Sequence, residues 1–91
     1  MNKKNKIVRC KNTILSSVNN QNIILDINSG KFIKINQTGK DIFQLTSKKI
    51  SYSTLLLKLS KIYDADESYI ENDVKIFLNA CIKEKLLSIS E

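Results

Sequence analysis

Histidine, proline and tryptophan are absent from this 91-residue chain, which has only two glycines and two cysteines. Without histidine the commonest general base is missing, and no serine or cysteine stands in a motif with a companion base. Cys10 and Cys81 are far apart, with no second cysteine near either. That spacing offers no metal set and no redox motif, and it reads as two ordinary thiols in a reducing compartment. The expectation is a protein that is not an enzyme and that carries no metal and no cofactor. No apolar run approaches the ~18 residues of a membrane span. The basic N-terminus, MNKKNKIVRCKN, has no apolar segment behind it. No membrane association is expected, and a cytoplasmic location is. With neither repeat nor low-complexity linker, 91 residues make one domain with a small core.

Charge is what the chain has in excess, a formal +6. Residues 1–49 hold ten basic side chains against two acidic, whereas residues 50–91 hold five against seven. A positive field in the N-terminal half draws acidic partners there. The alternative is that lysines scattered through an Asn-, Lys- and Ile-rich chain serve solubility alone.

Hydrophobic periodicity divides the chain into strands and then helices. Met1 to Arg9 is polar and without period, so residues 1–12 read as a flexible basic arm and 13–91 as the folded domain. Thr13–Val18, Ile23–Ile27 and Lys31–Asn36 are rich in β-branched residues, with Asn19 to Asn22 and Asn28-Ser29-Gly30 as turns, and form an antiparallel meander. Alternation in the third strand puts Ile33 and Ile35 toward the core and Phe32 and Lys34 on the other face. Asn36 or Thr38 caps a first helix to about Leu45, and Thr46 to Ile50 is a polar link. Ser51 caps a second helix to Tyr63, whose apolar stripe is Tyr52, Leu55, Leu56, Leu59 and Tyr63. Asp66 begins a third, from Glu67 to Leu86, with Ile70, Val74, Phe77, Leu78 and Cys81 facing inward. The plan is α+β, a three-stranded antiparallel sheet followed by three helices, similar to a winged helix with the sheet placed first.

Two features are left over. The outer edge of the strand from Lys31 to Asn36 has no partner. The third helix has a second arc of Tyr69, Asp73, Ile76 and Ala80, with Phe77 at the join, wider than one packed face requires. Either the helix is wedged between two elements or this flank awaits a ligand.

The order of Leu25-Asp26, Gly30, Ile35-Asn36, Thr38-Gly39 and Ile42 resembles the PqqD-like family, the RiPP recognition elements of ribosomal peptide maturation. So does the later series of Tyr52, Leu55, Leu59 and Tyr63, then Asp73-Val74 with Phe77-Leu78, then Leu86-Leu87. The resemblance spans about Thr13 to Ser88. Two positions depart from it: Lys85 stands where the family commonly has glycine, and Cys81 where it has a larger apolar residue.

The resemblance implies a non-catalytic adaptor that binds the leader of a precursor peptide as an added strand. It then presents that peptide to a modifying enzyme such as a radical SAM enzyme, a leader protease or a cyclase. The expected peptide-binding residues are Lys31, Phe32, Ile33, Lys34, Ile35 and Asn36 on the strand and Tyr69, Asp73, Ile76, Phe77 and Ala80 on the helix. Phe32 is either an exposed wall of that groove or a contact to the partner enzyme, or it packs on the second face under the N-terminal arm. Lys34 is a leader contact or a solvated edge lysine, and Asp73 a polar hook or a surface acid paired with lysine. Two other readings are a nucleic-acid-binding protein, disfavoured by the net negative third helix, and a homodimer paired through the same edge.

Overall fold

The computed structural model describes residues Met1–Glu91. In chain order the elements are β1 (Lys6–Arg9), β2 (Thr13–Val18), β3 (Gln21–Asp26), β4 (Phe32–Ile35), α1 (Gln37–Leu45), β5 (Ile50–Ser51), α2 (Tyr52–Tyr63), α3 (Glu67–Lys83) and β6 (Leu87–Ser90). All strand pairs are antiparallel. The expected meander is present with order β2-β3-β4, and three helices follow it, an α+β arrangement. The turns close through residues that tolerate left-handed backbone: Asn19, Asn20 and Gly30 all have positive φ.

The first residues are not a loose arm throughout. Lys6–Arg9 is the central strand of a second sheet, β5-β1-β6, and Ile7 is fully buried. Asn5 and Lys3 carbonyls accept the Tyr52 and Ser53 amides, so the N-terminal segment also satisfies the start of α2. The residues expected as a polar link contribute to the core as well. Thr46 is buried, its hydroxyl donating to the Ile42 and Phe43 carbonyls, and Ile50–Ser51 is β5.

Helix starts follow the expected caps. Asn36 Oδ1 accepts the Gly39 amide and Ser51 Oγ accepts the Thr54 amide. Asp66 occupies the α3 cap position without a side-chain bond. Helix α3 ends at Lys83, a turn earlier than expected. Leu86 N–H donates to Cys81 and Lys85 N–H to Ile82, the paired bonds of a Schellman motif, with Lys85 at φ +61°. Lysine thus adopts the conformation for which glycine is favoured, and the cap is preserved.

The core joins the α2 residues Tyr52, Leu55, Leu56 and Leu59 to Val74, Leu78 and Cys81 of α3, with Ile24, Ile42, Phe43 and Leu87 around them. Tyr63, expected on that stripe, is instead partly exposed, and its hydroxyl donates to the Asp41 carboxylate.

Candidate functional site

A groove of about 520 Å³ runs between β4, the first turn of α1 and the outer flank of α3. Ile33, Lys34, Ile35 and Asn36 form one wall; Asp73, Ile76, Phe77 and Ala80 form the other; Thr38, Gly39 and Cys81 complete it.

The wall on β4 is an unpaired strand edge. Asp26 N–H donates to the Lys31 carbonyl, and the register places Ile24 opposite Ile33 and Asn22 opposite Ile35. Hydrogen-bonded and non-bonded pairs alternate along an antiparallel ladder. Ile33 and Ile35 are therefore turned toward β3, while the N–H and C=O groups of Phe32 and Lys34 point to the free edge. The Asn36 amide lies in the same phase, and its carbonyl is already engaged by the Lys40 amide in α1. The edge thus presents four backbone groups and a fifth donor.

The wall on α3 is exposed rather than wedged. Ile76 is 61% exposed, Asp73 and Ala80 are exposed, and Phe77 is half-buried. Asp73 forms no ion pair; the two ion pairs of the structure are Lys3–Glu67 and Lys75–Glu71. Lys34 and Asp73 are the only charged residues bordering the groove; by strand alternation the Lys34 side chain shares the outer face with Phe32, so its backbone rather than its ammonium faces the groove.

Its floor depends on Gly39. A Cβ there would lie 2.8 Å from Phe77 Cε1 and 3.0 Å from Ile35 Cβ, so only glycine lets α1 approach both walls this closely. Cys81 is fully buried beneath the groove, and desolvation pushes its thiol up to about 12, which keeps it protonated and unreactive.

Three expected residues lie outside. Lys31 and Phe32 border a separate small recess with Glu84 and Leu86, and the Phe32 side chain, 57% exposed, faces away from the groove although its backbone faces the edge. Tyr69 is 82% exposed and borders an apolar pocket of about 220 Å³ between α1, α2 and α3. That pocket shares Thr38 and Asp73 with the groove. Thr38, Gly39 and Cys81 are the groove residues the periodicity reading missed. A glycine early in a helix was the available signal for Gly39, and no local signal marks the other two.

Residues 21–87 match the family model described as coenzyme PQQ synthesis protein D, PqqD. The chain belongs to the PqqD family. The match takes in β3, β4 and all three helices, hence both walls of the groove. Among solved structures, TbiB1 in complex with the TbiA(beta) leader peptide superposes with a TM-score of 0.74 at 17% identity, covering 89% of this chain and 94% of that one. At that identity the likeness is one of fold. No curated protein matches the chain.

Proposed function

We propose that this PqqD-family chain is an adaptor that binds the leader segment of a ribosomally made precursor peptide and presents it to a modifying enzyme. The observation that carries the reading is the unpaired β4 edge facing an exposed apolar helix flank across a groove. Family membership supports it, as does the fold shared with a protein solved in complex with a leader peptide.

In this mechanism the leader adds as an antiparallel strand to the outward groups of Phe32, Lys34 and Asn36. Each bond contributes about 0.5–1.5 kcal/mol net, against about 2–5 kcal/mol for ordering a disordered segment. Backbone pairing alone therefore gives weak binding. One or two apolar leader side chains against Ile76, Phe77 and Ala80, at about 1.5–3 kcal/mol each when buried, supply the rest and the selectivity. The chain's part is to bind, order and orient the peptide, and the chemistry belongs to the partner enzyme.

The test is titration of a synthetic leader, from a short reading frame beside this gene, into the wild type and Ile76→Asp. A carboxylate at this largely exposed position costs the free fold little, but buried under a leader it is expected to weaken binding at least about 30-fold. Unchanged affinity removes the groove assignment. A wild type that sediments as a dimer and does not bind the leader instead identifies the edge as a self-pairing surface.

A further inference from the structure

Only two charged residues, Lys34 and Asp73, border the groove, so the net charge of +6 is carried elsewhere. Part of it gathers at a second concavity of about 570 Å³, formed where the end of α1, β5 and the start of α2 meet β1. Lys6, Lys48, Lys49 and Lys58 border it, all exposed, with Leu45 and Ile50 as its apolar residues. No acidic residue lines it, none of the four lysines forms an ion pair, and it shares no residue with the groove. Four unpaired ammonium groups around one recess repel each other, a cost that an acidic partner relieves.

The surrounding chemistry narrows the partner. The recess adjoins the N-terminus of α2, but the Tyr52, Ser53 and Thr54 amides are already taken by Asn5, Lys3 and Ser51. The first turn of α2 therefore offers no free backbone donors for a phosphate nest. The lining has no aromatic for base stacking and no arginine for bidentate phosphate contact. Hydrated lysines beside two aliphatic side chains suit carboxylates on a folded surface, held reversibly and steered at long range.

We propose that this concavity is a docking surface for an acidic segment of a partner protein, engaged independently of the peptide groove. Taking that partner to be the enzyme that modifies the bound peptide rests on the function proposed above; the acidic-protein site itself does not.

The experiment uses the full chain, isotopically labelled for amide NMR, with deca-glutamate and a 12-base-pair DNA duplex as separate probes. The expected result is that deca-glutamate shifts amides of residues 44–58 and Lys6. Lys48→Glu/Lys49→Glu then weakens it at least about tenfold, as does raising salt from about 50 to 300 mM. Leader binding in the same variant stays unchanged. Both substituted side chains are exposed, and Lys58→Glu serves as a second variant should the double one unfold. Shifts spread over all the lysines, affinity unaffected by the reversals, or tighter binding of the duplex at this recess each overturns the proposal. A leader that fails to bind the groove while deca-glutamate still maps here overturns the proposed function and leaves this site standing.

Discussion

Gly39 sets how closely three elements meet, and its role is steric. Alanine there improves helix propensity by about 1 kcal/mol. Its Cβ, however, meets the Phe77 ring edge and the Ile35 Cβ, the latter fixed directly to β4. Overpacking of this kind costs about 1–3 kcal/mol. Gly39→Ala is therefore expected to lower stability by about 1 kcal/mol net in urea melts and to displace Phe77 into the groove, reducing leader affinity as well. Lys85 is the converse, a residue in left-handed backbone at a position where glycine is favoured. Because the Schellman bonds hold it there, Leu86 and Leu87 still enter the core, and the departure from the family pattern leaves the architecture intact.

Strand β4 performs two tasks, and its residues are divided between them by parity. Ile33 and Ile35 face the core side and bond to β3, whereas Lys34 turns its amide to the free edge. Proline is tolerated on an edge strand where its missing N–H faces outward. Lys34→Pro should therefore fold, with a melting temperature within a few degrees of wild type, while losing most leader affinity in the titration. Ile33→Pro breaks an internal ladder bond and serves as the contrasting unfolded control. Equal behaviour of the two variants would show the edge to be out of register with this scheme. This division was half legible in the sequence. Period-two alternation assigned Ile33 and Ile35 to the core, but which amides point outward depends on the register with β3, set by the turn at Asn28 to Gly30. Helix α3 was read well along Val74, Leu78 and Cys81 because their spacing matches the helical repeat. Tyr69 lies a turn before the groove, beside Ala65 and Ile70 at the apolar pocket, because the helical arc it shares with Asp73 and Ile76 runs past the end of β4.

Across the whole molecule the N-terminal segment, α2 and α3 are tied together by one polar cluster. The Tyr52 hydroxyl donates to Glu71, Lys75 and Glu71 pair along α3, and Lys3 lies over the Tyr52 ring and pairs with Glu67. The phenol hydrogen bond, with help from Lys75 and Lys3, holds the Glu71 carboxyl below its ordinary 4.5, while burial raises the Tyr52 phenol. A carboxylate depressed in the folded state contributes stability that is present above its unfolded pKa and lost as pH falls through its folded one. Thermal melts of Glu71→Gln should accordingly lie below wild type at pH 7, with the gap closing below about pH 4.5. A gap constant with pH would place the contribution in packing rather than in the charge.

The sequence by itself determined the strands β2, β3 and β4 with their order, the three helices and the caps of α1 and α2, because each rests on local periodicity or on residues close in the chain. Only the tertiary structure decided the second sheet. Lys6–Arg9 is a four-residue strand whose partners lie at Ile50–Ser51 and Leu87–Ser90, and no local pattern marks so short a segment as the centre of a sheet. It likewise decided which residues of β4 and α3 share one groove and which lysines gather at another recess. Both follow from distances between segments far apart in sequence, and local periodicity holds no information about those.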